Sequence, residues 1–383
     1  MRVLMLAWEF PPAFARGNAA HVDGLSRALA GIGCDVVLFT LAAPGVPDDA
    51  TDGKVRVLRA RTDLPWLPDD ELVTGVVSAN HHLVKLALRL DGWVPDIVHA
   101  HDWQVAWAAD TLAELCGARL AATFHATERG RHGGRVPPGE ASTIHAVESW
   151  LAHRAADVIA SSRFMLGEVV GGFELPPERA HLIPNGIDPT WWADGCPDGP
   201  RRPLVFTWGR VQYEKGFQVL ARAMRLLRPQ RADLECVIGG RGSYLPELQS
   251  QIDLEGVSDL VQLPGYLSDD HLRATVHQAG CVVIPSLYEP FGLVALEALA
   301  GGAPLIVAET GGLAELVDGT GAGLTFEPGN AAQLAACIDR VLGDPQLAGE
   351  MRRQGADLLA ARYSWDAIAA ATSAVYLSHP SRP

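Results

Sequence analysis

Cys281-Val282-Val283-Ile284-Pro285-Ser286-Leu287-Tyr288-Glu289-Pro290-Phe291-Gly292-Leu293-Val294-Ala295-Leu296-Glu297 passes from an unbroken apolar run into a helical pattern within a few residues. The apolar run reads as a strand buried on both faces, the kind found in parallel sheets covered by helices. A helix opened directly after such a strand presents unpaired N–H groups and partial positive charge at its first turn. Phe291, Gly292 and Leu293 are therefore candidates to aim backbone N–H groups at a phosphate, with Gly292 allowing close approach. Glu289, just ahead of the helix, can hydrogen-bond a sugar hydroxyl. Glu297, about two turns in, can hold a ribose hydroxyl pair. The plain alternative makes Glu289 a capping carboxylate and Glu297 a solvated helix residue.

Outward from this stretch the same alternation repeats. Strands are expected at residues 3–7, 35–41, 96–100, 120–123 and 158–161, with a helix at 21–32. The pattern restarts at 204–207, 234–238, 261–263, 281–285 and 304–307, with helices such as 217–227 and 294–300 between. Strands alternating with helices imply parallel sheets covered on both faces. Pro184-Asn185-Gly186-Ile187-Asp188 reads as a turn, and the Gly-, Pro- and Asp-rich stretch 191–203 as a linker. The expected organisation is an α/β chain of two Rossmann-like domains, 1–195 and 196–362. A terminal helix in 363–383 crosses back to the first. Ligands of such folds bind at the carboxyl ends of strands, where loops from both domains face a central cleft.

The 383 residues suit two cores rather than one. A hydrophobic content of 48% with 20% charged residues marks a globular chain. Its net charge of −14 should repel nucleic acid and anionic lipid, so an anionic ligand would need a local basic site. No run of about 18 apolar residues is present, so no membrane insertion is expected. The N-terminal apolar run is too short for a signal peptide, and no cysteine lies in a C-x-x-C pair. Reduced thiols in a cytoplasmic protein are expected.

Further candidates follow the other strands. Gly209-Arg210-Val211-Gln212-Tyr213-Glu214-Lys215-Gly216 places two cations five residues apart on a strand-to-helix turn, where they can clamp a diphosphate from two sides. Thr310-Gly311-Gly312 and Gly239-Gly240-Arg241-Gly242 are glycine-rich turns. His99-Ala100-His101-Asp102-Trp103 closes one strand of the first domain, and Phe124-His125-Ala126-Thr127-Glu128 follows the next. Three histidines raise the question of a metal. They sit on separate loops without a carboxylate cluster or D-x-D triplet, so no metal site is expected. Arg129-Gly130-Arg131-His132-Gly133-Gly134-Arg135 is the one dense basic run, read either as a mobile solvated loop or as a lid or acceptor-binding loop. His145-Ala146-Val147-Glu148 then starts a helix.

Glu289 to Glu297 resembles the E-x7-E signature, and 209–216 the G-R-x4-K-G element, of the large retaining glycosyltransferase family that includes bacterial glycogen synthases and mannosyltransferases. The resemblance runs along essentially the whole chain, and the His125 and His145 segments look most like actinobacterial members that build intracellular α-1,4-linked polysaccharides, polymethylated ones included. It implies the GT-B fold. It places Arg210, Lys215, Phe291, Gly292 and Leu293 on the donor diphosphate, with Thr310, Gly311 and Gly312 beside the phosphates. Gly209, Gly240 and Arg241 fall near the nucleotide, and Glu289 on the sugar. His125 falls beside the transferring sugar and Asp102 on the acceptor side. One loop departs from the pattern. The family's paired glycines after the first strand are here reduced to Gly17, flanked by Arg16 and Asn18 where a diphosphate or acceptor would lie. Arg131 and His132 are candidate acceptor contacts.

The resemblance further implies front-face transfer of a hexose with retention, in which the departing phosphate oxygen takes the acceptor proton. No nucleophile-and-base carboxylate pair is then needed, unlike most glycosidases. No cofactor is expected beyond the donor, UDP- or ADP-glucose or GDP-mannose, and the acceptor is an α-linked oligosaccharide or polysaccharide. A nucleotide-sugar 2-epimerase on the same fold and a non-catalytic nucleotide-sugar-binding protein are the alternatives. A dinucleotide enzyme is disfavoured by the missing G-x-G-x-x-G.

Overall fold

The computed structural model describes residues 1–12, 17–62, 72–196, 199, 201–231 and 233–378. They form two compact units, Met1–Gly186 with Trp365–Pro383, and Ile187–Ser364.

The first unit is built on eight strands: β1 (Arg2–Ala7), β2 (Asp35–Leu41), β3 (Asp49–Asp52), β4 (Val55–Ala60), β5 (Ile97–His101), β6 (Arg119–Phe124), β7 (Asp157–Ala160) and β8 (Ala180–Leu182). Their spatial order is β3-β4-β2-β1-β5-β6-β7-β8. Every neighbouring pair is parallel except β3 with β4. Successive side chains of β1 point to opposite faces. Leu4 and Leu6 join one core with Phe39 and Phe124, while Val3 and Met5 join the other with Leu25 and Leu38. That two-sided burial is why the run reads as continuous apolar sequence. Strands β3, β4 and β8 are absent from the sequence expectation for physical reasons. β3 is an edge strand of mostly exposed Asp and Thr, and β8 is only three residues long. β4 carries Arg56 and Arg59, and Arg59 is buried because its guanidinium donates to the Pro47 and Pro11 carbonyls.

The helix Trp365–Leu377 belongs to this first unit and packs on the helix Asn18–Gly31. The Trp365 ring occupies the space that a side chain on Gly24 or Gly186 would need: a Cβ on Gly24 would stand 2.1 Å from it.

The second unit holds β9 (Arg202–Trp208), β10 (Glu235–Gly239), β11 (Val261–Gly265), β12 (Ala279–Ile284), β13 (Leu305–Ala308) and β14 (Gly323–Phe326). Their order is β11-β10-β9-β12-β13-β14, and all pairs are parallel. Phe206 and Trp208 face one core and Val205 the other. This unit begins at Ile187 rather than near residue 195. Asp188 accepts a bond from the Thr190 amide and caps the short helix Pro189–Ala193, which drives Trp192 into the core beside Trp208. The first part of the expected linker is therefore folded structure.

Candidate functional site

In the second unit, loops at the carboxyl ends of four parallel strands lock together backbone to backbone. The turn after β9 is joined to that after β10 by Gly209 N to Gly239 O at 3.0 Å and Val211 N to Arg241 O at 2.8 Å. It is joined to the loop after β12 by Leu287 N to Glu214 O at 2.7 Å. That loop meets the turn after β13 through Gly312 N to Glu289 O at 3.0 Å. Two glycines make the approach possible. A Cβ on Gly216, at φ +69°, would lie 1.8 Å from the Pro285 carbonyl oxygen, and one on Gly312 would lie 2.6 Å from the Pro290 carbonyl oxygen. No L side chain fits either contact without moving main chain.

This frame brings Lys215 onto Glu289. Nζ donates to Oε2 at 2.7 Å, and Ser286 Oγ donates to the same oxygen at 3.2 Å. The side chains are 20% and 14% exposed, so the pair is shielded yet reachable. Glu289 is therefore not a helix cap. The helix Leu293–Ala300 takes Gly292 as its N-cap residue; the Ala295 amide turns back to the Gly292 carbonyl at 2.9 Å, and the Leu293 and Val294 amides open the helix with no acceptor within it. Phe291 is buried beneath them. Glu297 lies one turn into that helix and is buried, its Oε2 accepting from Trp208 Nε1 at 3.0 Å. The solvated-helix alternative fails for it, and so does the expected two-turn separation. Thr310 precedes the helix Gly311–Val317, with its Oγ1 donating to the Leu287 carbonyl at 3.2 Å. Arg210 is exposed. Arg241 is exposed too, near Gly240, its guanidinium 5.9 Å from the centroid of the Tyr266 ring. A shielded ammonium beside free helix amides can hold a multiply charged anion.

The first unit carries a different constellation, also at strand ends. Asp102 follows β5 at φ 62° and ψ 175°. Its Oδ2 accepts from Asn18 Nδ2 at 2.8 Å, and its Oδ1 accepts from the His125 backbone N at 2.8 Å. One carboxylate thus ties the first turn of the helix Asn18–Gly31 to the loop after β6. Around it four histidines are buried: His21, His99, His101 and His125. His101 Nδ1 lies 3.3 Å from His125 Nε2. Tyr376, kept protonated by burial, bonds His99 Nδ1 at 2.6 Å, and His99 Nε2 meets Thr123 Oγ1 at 2.8 Å. Burial lowers the pKa of all four rings, that of His99 to about 3 and those of His21 and His101 well below 6.5; for His125 the Asp102 charge opposes the fall. The rings are neutral at pH 7. Glu148 is shifted the other way: burial pushes it up to about 8, although both its oxygens accept from the Glu128 amide at 3.0 Å.

The basic run is not a single loop. Thr127 accepts from the Gly130 amide and caps a helical turn, Glu128–Arg131. His132 Nε2 bonds Glu128 Oε1 at 3.0 Å, and Arg129 Nε donates to the Gly134 carbonyl at 3.1 Å. Arg131 and His132 are exposed. A cavity of ≈ 540 Å³ beside this turn is lined by Thr127, Arg129, His145, Arg163, Glu168 and Phe173, among others. His145 does not open its helix, which begins at Glu140. Gly17 precedes the helix Asn18–Gly31 at φ 66°, and Arg16 lies outside the described residues.

Within each unit most of the residues singled out from sequence gather at one end of one sheet. The sequence reading passed over His21, Glu148, Asn185 and Tyr376. For His21 a signal existed: it stands four residues before buried Leu25 on one helix face. Tyr376 finds His99 from 277 residues away, and no local pattern announces that. All six cysteines are free, and no helix among the described residues is long and apolar enough to cross a membrane.

Comparison with known proteins gives a consistent result. Residues 198–357 match the family described as Glycosyl transferases group 1, and residues 15–191 match Glycosyltransferase Family 4. The glycogen synthase of Mycobacterium tuberculosis is 36% identical over 398 residues, spanning 99% of this chain and 95% of that protein. The alpha-maltose-1-phosphate synthase of Mycolicibacterium smegmatis is 29% identical, over 98% and 99% of the two chains. Among solved structures, a sucrose-phosphate synthase from Thermosynechococcus elongatus superposes with a TM-score of 0.83 at 24% identity, covering 98% of both chains.

Proposed function

Because this chain belongs to the group 1 and family 4 glycosyltransferases, with the GT-B fold of two parallel-sheet Rossmann-like units, we propose that it moves an α-hexosyl unit from a nucleotide diphosphate sugar to an α-1,4-linked oligosaccharide or polysaccharide. Transfer proceeds with retention and without a metal ion. The observation that carries this reading is the Lys215–Glu289 pair, set at 2.7 Å in a frame of interlocked glycine turns. As the anomeric C–O bond breaks, negative charge gathers on the leaving diphosphate. Lys215 and the amides at Phe291 to Leu293 are held donors that meet it with little reorganisation, which lowers the barrier, and the exposed Arg210 adds a second cation. Glu289, steadied by Ser286, orients a hydroxyl of the sugar. Glu297 holds the ribose. The turns at Gly209, Gly240 and Arg241 and at Thr310, Gly311 and Gly312 wrap the nucleotide. In the first unit Asp102 and Asn18 hold the acceptor, His125 supports the transfer, and Arg131 and His132 extend the acceptor contacts.

Glucose is favoured over mannose by the names of the relatives, a glycogen synthase and an alpha-maltose-1-phosphate synthase. The test is a donor panel (UDP-, ADP- and GDP-glucose, GDP-mannose) with short α-1,4 gluco- and manno-oligosaccharides in the presence of chelator, read by mass and linkage. One added hexose in α linkage is expected, and Lys215→Ala should slow transfer by about a hundredfold or more. Sugar release without acceptor elongation, or unchanged turnover in Lys215→Ala, would overturn the reading.

A further inference from the structure

We propose that His21, His101 and His125 form a site for one divalent transition-metal ion of the zinc and copper class, and that its occupancy withdraws His125 from sugar transfer. The second half rests on the role given to His125 above; the first does not.

The three residues are buried, and each offers a ring nitrogen within 4.8 Å of the others. Their ring centroids form a triangle with sides of 4.7, 5.5 and 5.6 Å. Three imidazoles bound to one tetrahedral ion at about 2.0–2.1 Å place their centroids roughly 5.2 Å apart. The 3.3 Å between His101 Nδ1 and His125 Nε2 also matches an edge of that tetrahedron, roughly 3.4 Å.

Both ring nitrogens of His21 and Nε2 of His101 are closed to solvent and make no hydrogen bond of full geometry among the described residues, the Asn185 side chain being the polar neighbour that faces His21. A buried polar atom left bare is destabilising, and both nitrogens of His21 are in that position. An ion bound between the rings takes one nitrogen of each imidazole, and so satisfies one of the two bare nitrogens of His21. Asn185 Oδ1, also buried and without a partner among the described residues, lies beside His21 and is a candidate fourth donor. His99 is not: its nitrogens are engaged by Tyr376 and Thr123.

The chemistry of the donors agrees. The Asp102 carboxylate, bonded to the His125 amide, supplies nearby negative charge for the cation. The ligands also stand on rigid elements: His21 in the first turn of the helix Asn18–Gly31, His101 at the end of β5, and His125 just after the neighbouring β6. Sequence reasoning set a metal aside because the histidines lie on separate segments, but parallel pairing of β5 with β6 and the return of that helix bring them together.

The full chain, stripped with a chelator, is titrated with Co²⁺ and followed by visible absorption. The expected result is a set of intense d–d bands saturating at one equivalent and displaced by Zn²⁺. His21→Gln and His101→Gln, each checked for native circular dichroism, should weaken binding by more than about a hundredfold, since loss of outer-shell partners alone costs 10–100-fold. His271→Gln, an exposed histidine of the second unit, should bind as wild type. Saturating Zn²⁺ should suppress transfer, and chelator should restore it. Absence of bands in the folded chain, as a buried water in the pocket would give, overturns the site; so do bands that survive His21→Gln. Bands with transfer undiminished by Zn²⁺ overturn the inhibitory half. The absorption readout is independent of any donor or acceptor, so a failed transfer assay leaves the metal result standing.

Discussion

Glu148→Gln is expected to steepen the acid sensitivity of the first unit. Burial raises the Glu148 pKa to about 8 from a model-compound value of 4.5. The folded chain therefore holds a proton that the unfolded chain releases, and this group adds stability as pH falls from 8 toward 4.5. Between pH 7 and pH 5 the gain is about 2–3 kcal/mol. His99 works in the opposite sense. Its pKa is lowered from 6.5 to about 3, so below pH 6.5 the unfolded ring takes a proton that the folded ring refuses. Over the same interval about 2 kcal/mol is lost. His21 and His101, both lowered well below 6.5 by burial, act in the same direction as His99. Glu148 thus offsets roughly one buried histidine, and the wild-type unit weakens in acid through the rest. Gln retains an oxygen to accept the Glu128 amide but cannot titrate. The assay is urea unfolding at pH 7, 6 and 5, read by hydrogen exchange of peptides from β5 and β6 because a two-unit chain need not unfold in one step. The gap between variant and wild type should widen by about 2–3 kcal/mol from pH 7 to pH 5. A gap that does not depend on pH would refute both the buried, protonated carboxyl and the balance drawn from it.

Gly216→Ala should destabilise the second unit by more than about 2 kcal/mol in thermal unfolding, because its φ of +69° and its approach to the Pro285 carbonyl both exclude a Cβ. Donor binding should weaken with it, since the same turn aims Lys215. Tyr376→Phe leaves His99 Nδ1 bare inside the protein, and a loss of about 1–3 kcal/mol is expected by denaturant titration. Asp102 sits at φ 62° and ψ 175°, a region that costs a non-glycine residue about 1–3 kcal/mol. Asp102→Gly relieves that strain but removes two charge-assisted bonds, so stability should stay within about 2 kcal/mol of wild type. Transfer should fall at least about tenfold because the His125 amide is released; unimpaired transfer would count against a positioning role for Asp102.

What could be read from sequence follows a physical division. In the second unit the donor frame is made of main chain: strand, glycine turn, helix, each written in consecutive residues. Gly209 to Gly216 and Glu289 to Glu297 announce themselves because a tight turn needs glycine locally and a helix opening needs a fixed offset from its strand. The partner of Lys215 was not legible in the same way, since Glu289 lies 74 residues on and meets it only through the pairing of β9 with β12. The first unit is built in the other manner. Its polar cluster is assembled from side chains that start 84 residues apart for Asn18 and Asp102 and 277 apart for His99 and Tyr376. Nothing in the spacing of His21 distinguishes a metal or sugar contact from a core residue, because a buried helix position is all that local sequence encodes there. The same division bears on specificity. Main-chain amides and glycine turns recognise what every nucleotide diphosphate sugar shares, whereas a cluster of neutral imidazoles, one strained aspartate and one raised carboxyl can change ligand by a single substitution. Differences in acceptor among chains with this donor frame should therefore trace to the first-unit cluster, where sequence motifs are least informative.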